Sequence, residues 1–188
     1  MSQADVIAAF GKVTKAMAAA SPMKGVFFPS PGKHVCILED ITFDGNSSTK
    51  VDGKDAPAMA IGFRYRLVED PESPTNPRAF NGKMFYLPLD DSAYDAKPGK
   101  KGSKFGMDRD RFMGHLTTIL GRDISDPSNM GSEFALVLQK LQEAKTSGAA
   151  ITLEVETVSR KYEYQNKETG QKVEGVDRYE LLTAKLSS

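Results

Sequence analysis

The sequence has few of the features that mark a secreted, membrane-spanning or strongly charged protein. Its single cysteine, Cys36, permits neither an internal disulfide nor a cysteine zinc cluster, and such usage favours a reducing cytoplasm. No stretch approaches the roughly 18 apolar residues that a membrane helix needs. Asp5, Lys12 and Lys15 interrupt the apolar N-terminus before a signal-peptide core can form. We therefore expect a cytoplasmic protein with no membrane partner.

An excess of one charge is also lacking. The 188 residues contain 25 Lys+Arg and 25 Asp+Glu, so the formal net charge is +0. This balance excludes a uniformly basic, histone-like nucleic-acid binder. Residues 97–122 nevertheless carry a local excess of basic side chains, including a lysine cluster in a glycine-containing loop: Lys97, Lys100, Lys101 and Lys104. The loop is either a solvated connection or a phosphate-contacting arm, and a neutral protein can offer a basic track through such segregation.

Hydrophobic periodicity predicts an α+β domain over residues 25–188, preceded by an amphipathic helix and linker over residues 1–24. In the N-terminal segment, Val6, Phe10, Val13 and Met17 recur at helical spacing. This helix either packs on its own domain or contacts a neighbouring subunit. We predict strands at residues 33–43, 58–69, 78–87, 151–165 and 173–186, helices at 108–120 and 132–145, and an exposed loop at 45–57.

The predicted order is three strands, two helices and two strands. This order is associated with the oligonucleotide- and oligosaccharide-binding (OB) barrel, a five-stranded, partly open Greek-key barrel. We therefore predict a mainly β, OB-like fold with helices, although other α+β folds with a terminal hairpin produce a similar pattern.

Signals for catalysis are weak. His34 and Cys36 lie two apart in a predicted strand, but no further cysteine or histidine cluster accompanies them. The adjacent carboxylates Glu39 and Asp40 point to opposite faces of a strand and so do not form a metal site by themselves. We expect a protein that is not an enzyme and that holds no metal or cofactor.

Binding of single-stranded nucleic acid has better support, because such binders combine basic grooves with aromatic stacking faces. The segments FRYR (63–66) and SRKYEY (159–164) alternate or interleave both residue types. The candidate contacts are Arg64, Arg66, Arg160, Tyr162 and Tyr164, with Lys50, Lys54, Lys167 and Lys172 on phosphates. The alternative for the terminal hairpin is a solvated ribbon in which acidic side chains pair with the basic ones.

Several segments together resemble the phage-encoded, OB-fold single-stranded DNA-binding proteins. These are PGKHVCILED, FNGKMFYLPL, the GRD at residues 121–123 and the closing hairpin, so the resemblance covers residues 25–186. It implies sequence-tolerant binding of single-stranded DNA, self-association into a homo-oligomer, and a role beside replication or recombination proteins. The alternative function is a structural or assembly protein, such as a virion component, that binds no nucleic acid.

Overall fold

The structure, a computed structural model, describes residues 27–95, 103–124, 126–166 and 170–186. The predicted N-terminal helix and three of the clustered lysines, Lys97, Lys100 and Lys101, lie outside these ranges. The described strands are β1 (Gly32–Val51), β2 (Lys54–Leu67), β3 (Ala79–Asn81), β4 (Phe85–Pro88), β5 (Thr152–Gln165) and β6 (Lys172–Lys185). The α-helices are α1 (Lys104–Leu120) and α2 (Met130–Ser147), and short 3-10 helices lie at Asp91–Tyr94 and Pro127–Asn129.

The strands form a single antiparallel sheet that curls into a half-barrel. The strand order is β3-β2-β1-β5-β6, and β4 lies beside β2 on the same side as β3. The fold is mainly β with two α-helices among the described residues, as predicted at this level. None of these helices combines the length and the apolar character needed to cross a bilayer.

The core lies between the inner face of the sheet and α1. Alternate residues of β2, from Ile61 to Leu67, are buried on this face, with the period of two that is typical of a strand. They pack against the buried stripe of α1, which includes Phe112, Leu116 and Ile119. Burying a side chain of this size contributes about 1.5–3 kcal/mol, so these contacts provide much of the driving force for folding.

Local capping explains where α1 begins and ends. The Ser103 hydroxyl accepts a hydrogen bond from the Gly106 N–H at 2.8 Å, so the helix begins before the predicted start at Asp108. Gly121 adopts φ +70° at the other end, a left-handed conformation that glycine tolerates without steric strain. The predicted end of α1 is therefore confirmed.

Residues 45–57, predicted to form an exposed loop, instead complete a long β-hairpin. β1 continues to Val51 and pairs with β2, which starts at Lys54. Asp52 and Gly53 adopt φ +51° and +82°, the left-handed pair of a two-residue hairpin turn. The prediction was wrong because the polar composition of this segment concealed an Asp-Gly turn between two exposed strands.

The predicted third strand, residues 78–87, is divided into β3 and β4 around Gly82 and Lys83. A Cβ at Gly82 would lie 2.0 Å from the Glu180 Oε1 of β6, so only glycine fits there without a shift. The Lys83 N–H donates to Glu180 Oε2 at 2.7 Å, and His115 Nε2 of α1 lies 3.4 Å from Glu180 Oε1. These four residues, which we call the seam, join the two ends of the curled sheet, because the Glu180 carboxylate contacts both the Lys83 backbone and the His115 ring.

Candidate nucleic-acid interface

The structure divides the predicted contact residues among separate parts of the sheet and between its two faces. Arg64 and Arg66 lie on β2, and Lys50 and Lys54 flank the turn of the β1–β2 hairpin. Arg160, Tyr162, Tyr164 and Lys172 lie on the β5–β6 hairpin, whereas Lys167 lies outside the described residues. Because β1 and β5 are antiparallel, the two hairpins extend from opposite ends of the sheet. The predicted residues therefore do not form one continuous site.

The registers define the separation between the β2 arginines and the hairpin tyrosines. Ile37 of β1 is opposite both Arg66 of β2 and Thr152 of β5. Tyr162 lies ten residues farther along β5 than Thr152, a path of about 33 Å at 3.3 Å per residue. A single base cannot contact both groups.

Both β2 arginines are partly neutralised by one acidic side chain. Glu39, at a bulge in β1, binds Arg64 Nε at 3.1 Å and also pairs with Arg66 Nε. Arg66 donates a further hydrogen bond to the Pro77 carbonyl at 2.8 Å. The neighbouring aromatics of FRYR, Phe63 and Tyr65, are buried in the core and are unavailable to a ligand. This part of the predicted site therefore offers less free positive charge than its sequence indicates.

Of the two lysines beside the β1–β2 turn, Lys50 forms an ion pair with a neighbouring strand residue. Lys50 Nζ lies 2.9 Å from Asp55 Oδ1, its cross-strand neighbour, and both side chains are well exposed. An exposed pair of this kind is worth less than about 1 kcal/mol, so a phosphate could replace the carboxylate at little cost.

The β5–β6 hairpin carries the best-assembled part of the predicted site. β1 stops pairing with β5 at Thr157, but β5 and β6 remain paired up to Gln165 and Lys172. Alternation places Arg160, Tyr162 and Tyr164 on one face of this two-stranded extension. The tyrosine ring centroids are 6.0 Å apart with an interplanar angle of 32°, and the two residues are 46% and 49% exposed. The result is a half-exposed aromatic surface beside a guanidinium.

Gly175 supports this surface, a role that was not predicted from the sequence. It is directly opposite Tyr162 in the β5–β6 register. A Cβ at this position would lie 2.4 Å from Tyr162 Cζ, so the ring rests on the glycine backbone. The sequence signal was a glycine within a strand pattern, which often marks such a close approach.

Lys172 was predicted to act with the tyrosines but belongs to the opposite face of the hairpin. It is opposite Gln165 in register, and its Nζ lies 3.7 Å from Glu163 Oε2. Lys161 shares this face, so charges of both signs lie there. The sequence left two interpretations of this hairpin open, and each describes one of its faces. The outer face is aromatic and basic, whereas the inner face is solvated and carries charges of both signs.

The basic excess predicted for residues 97–122 is partly balanced where the structure describes it. Asp108, which is almost fully buried, lies 3.8 Å from both Lys83 Nζ and Arg111 Nη1. Arg111 also stacks over the Tyr179 ring at 4.3 Å. These contacts hold α1 against β6. Arg111, which belongs to the predicted basic track, therefore already contacts protein groups.

A second exposed strip, which the sequence analysis missed, lies on the outer face of β2 and β4. Tyr86 is opposite Ala60 in register, and Met84 lies over Gly62, where a Cβ would be 2.9 Å from the Met84 methyl group. Both Met84 and Tyr86 are more than one-third exposed. The sequence signal for this strip was the alternation of small residues in AMAIG (58–62), because small side chains leave room for larger side chains of a neighbouring strand on the same face.

The residues considered for catalysis do not form a reactive pair. Cys36 is fully buried, and burial raises the pKa of its thiol to about 12, so the nucleophilic thiolate is not populated at neutral pH. His34 Nε2 lies 2.9 Å from the Ser30 carbonyl oxygen. In the described parts of the chain, no three His, Cys, Asp or Glu side chains gather where they could hold a metal ion.

Comparisons with protein-family models, with curated proteins and with solved structures find no match to this chain. The interpretation of the site therefore depends on its own geometry.

Proposed function

We propose that the chain is a non-catalytic, sequence-tolerant binder of single-stranded DNA that acts in phage-type replication or recombination in the cytoplasm. The observation that carries this proposal is the outer face of the β5–β6 hairpin. There, Arg160 lies in line with two half-exposed tyrosine rings whose centroids are 6.0 Å apart. Stacking requires bases that are not paired in a duplex, and every base has a π-face to offer, which favours a single strand of any sequence.

We also propose that the half-barrel is an OB-like, Greek-key fold. In this interpretation β3 and β4 together occupy the third strand position, and β5 and β6 occupy the fourth and fifth. The central place of β1 between β2 and β5 supports this assignment, as does the side-chain bridge from Glu180 to the Lys83 backbone. OB-like barrels commonly bind oligonucleotides on the strand face and adjoining loops where the β2–β4 strip and the hairpins lie.

The mechanism combines stacking with phosphate contacts. Each base stacked on Tyr162 or Tyr164 contributes about 1–3 kcal/mol, and Arg160 supplies a charge for the adjoining phosphate. Arg160 forms no ion pair within the described residues: its cross-strand neighbour on the same face, Asp177, pairs with Lys83 at 3.7 Å instead. The guanidinium can therefore bind a phosphate without first breaking an ion pair of its own. Arg64 and Arg66 would have to release Glu39 to do the same.

The test is a fluorescence-anisotropy titration with a labelled oligo-dT strand at several salt concentrations. Replacing Tyr162 or Tyr164 by Ala should weaken binding about 5- to 150-fold, the equivalent of one lost stacking contact. Tyr86→Ala is the comparison variant, because it removes an exposed tyrosine from the β2–β4 strip and so distinguishes that surface from the hairpin. No binding at low salt would refute the proposal, and an equal loss in the Tyr86 variant would place the principal contact on the β2–β4 strip instead.

Phosphate contacts can be tested separately through charge. Arg160→Ala should reduce both the affinity and the salt dependence, since each phosphate contact to a single strand contributes a slope of about −0.7 in log K against log salt. Arg64→Ala should change both quantities less, because Glu39 already binds this side chain. Equal slopes for the wild-type protein and the Arg160 variant would exclude Arg160 as a phosphate ligand.

The alternative function, an assembly protein that binds no nucleic acid, has one observation in its favour. A groove of about 710 Å³ lies beside Phe27 and Phe28, and two partly exposed apolar side chains, Val35 and Val68, line it. Such a groove suits a protein segment better than a phosphate backbone. Light scattering combined with the A260/A280 ratio of purified material separates the candidates, because an oligomer that neither retains nor binds DNA supports assembly.

A further inference from the structure

The strand edge of the β5–β6 hairpin is distinct from its aromatic face. Phe28–Pro31 lie beside Val158 and Ser159. Beyond Ser159, no strand in the described part of the chain pairs with β5 on the side that faces β1. Residues 160–165 therefore present an edge of the kind that commonly pairs with another strand. We call this segment the exposed edge.

Backbone hydrogen bonds identify which residues point their N–H and C=O groups outward at this edge. The Ile151 carbonyl accepts from Leu38 of β1, whereas the next carbonyl, Thr152, accepts from Leu186 beyond β6. At the far end, the Asn166 N–H donates to the Gln171 carbonyl on the β6 side. The register with β6 is regular from Val155 to Gln165. The odd-numbered residues, including 161 and 163, therefore direct their N–H and C=O groups to the exposed edge.

We propose that two copies of the chain pair antiparallel along the exposed edge, around a two-fold axis at Tyr162. The pairing must match odd residues with odd residues, because these carry the outward-pointing backbone groups. With the axis at Tyr162, Lys161 of each copy is opposite Glu163 of the other. An axis at Lys161 or at Glu163 would instead place two like charges directly opposite each other, which is unfavourable. An axis at Arg160 would likewise place two guanidinium groups opposite each other, and an axis at Tyr164 would pair Glu163 with the uncharged Gln165. Charge complementarity therefore favours the axis at Tyr162.

The other face of the same register is also complementary. Tyr162 is opposite Tyr162 of the second copy, and Arg160 is opposite Tyr164, where a guanidinium can lie over an aromatic ring. The aromatic and basic faces of the two hairpins become one continuous surface. The interface consists of a single short strand pair, so the dimer should dissociate on dilution. This inference does not depend on the proposed binding of DNA.

Sedimentation equilibrium without nucleic acid tests the charge pairing. Lys161→Glu and Glu163→Lys each place like charges opposite each other twice in the dimer and should weaken it roughly tenfold or more. The double variant Lys161→Glu/Glu163→Lys exchanges the charges and should restore dimerisation. Glu163 also lies 3.7 Å from Lys172 in its own chain, so Lys172→Gln is the control and should leave the dimer intact.

Oxidative cross-linking tests the axis independently. Tyr162→Cys places two thiols opposite each other, at a Cβ–Cβ distance of about 4.5–5.5 Å, and should form a covalent dimer. Tyr164→Cys is the matched control, because its two copies are offset by about 13 Å along the strands and should not cross-link. Cys36 is fully buried and does not compete. The proposal is refuted if the protein remains monomeric at every soluble concentration, or if a folded double variant dimerises as weakly as the single variants. It is also refuted if the Tyr162→Cys and Tyr164→Cys variants cross-link equally.

Discussion

Replacement of Glu180 is the sharpest test of how the half-barrel is held together. Its side chain is 0% exposed, although it carries a carboxyl group. Its two oxygens contact separate elements: Oε2 accepts from the Lys83 N–H at 2.7 Å, and Oε1 lies 3.4 Å from His115 Nε2. We expect Glu180→Leu to open the seam and Glu180→Gln to preserve it.

The difference between these variants follows from the tautomer of His115. Its Nδ1 lies 2.9 Å from the Arg111 carbonyl oxygen, which can only accept, so Nδ1 carries a hydrogen. The Nε2 atom of a neutral ring is then a hydrogen-bond acceptor, and it faces a carboxylate oxygen of Glu180 that is also an acceptor. In Glu180→Gln, the amide can donate to Nε2 while its oxygen accepts from Lys83, so a neutral ring satisfies every group.

Glu180→Leu leaves the Lys83 N–H and His115 Nε2 without partners. Each unpaired buried group costs about 1–3 kcal/mol, and breaking a buried pair costs about 3–5 kcal/mol. That loss is a large share of the roughly 5–15 kcal/mol that stabilises a typical domain. Glu180→Gln should cost about 1 kcal/mol or less, since every hydrogen bond can be re-formed.

Urea unfolding followed by circular dichroism measures both variants against the wild-type protein. An equal loss of free energy of unfolding in Glu180→Gln and Glu180→Leu would refute the assigned tautomer of His115. The role of the seam is refuted if Glu180→Leu unfolds at the wild-type urea concentration.

Three further predictions concern other contacts. Gly175→Ala should weaken oligo-dT binding several-fold in an anisotropy titration, because its Cβ would meet the Tyr162 ring at 2.4 Å and displace it; unchanged affinity would contradict the role of this ring. Tyr65→Phe should maintain or raise the free energy of unfolding by about 1 kcal/mol in urea, because this buried hydroxyl has no hydrogen-bond partner among the described residues, and a large loss would reveal one. Arg78 and two backbone N–H groups hold the pKa of Asp70 well below its usual range, so the wild-type protein should lose stability as the pH falls below about 4. Asp70→Asn should reduce that acid dependence in urea titrations, and an unchanged pH profile would exclude Asp70 as its source.

The sign of the Asp70 effect follows from its lowered pKa. The ionised carboxylate is favoured in the folded state, so its stabilising contribution is present above the unfolded pKa of about 3.9. This contribution is lost as the pH falls below that value, because the unfolded chain then takes up a proton at Asp70 more readily than the folded chain does. In the folded state, the hydrogen bonds to Arg78 keep the carboxylate ionised.

Several features of the fold could be predicted from the sequence because they depend on local periodicity. Alternation in β2 identified the buried face that contains Phe63 and Tyr65. A glycine follows each helix in the sequence, at Gly121 and Gly148, and the chain adopts positive φ at both. The two-residue spacing of Arg160, Tyr162 and Tyr164 likewise implied a common face. Each of these properties involves residues that are neighbours in the chain.

Other features required the tertiary structure. The sequence shows two arginines in FRYR, but only the β1–β2 register brings Glu39 to both of them. Gly82 and Glu180 are far apart in the sequence, yet their contact divides the predicted third strand and closes the seam.

The sequence by itself determined which side chains share a face, because the geometry of a strand or helix repeats over a few residues. The tertiary structure decided which of those faces remain available to a ligand. Charge neutralisation and burial arise from partners that are distant in the chain, and no local pattern specifies them. The net charge of zero therefore does not show where positive charge is available to a ligand. In the structure, Arg64 and Arg66 share an acidic partner, whereas Arg160 lies beside exposed tyrosines.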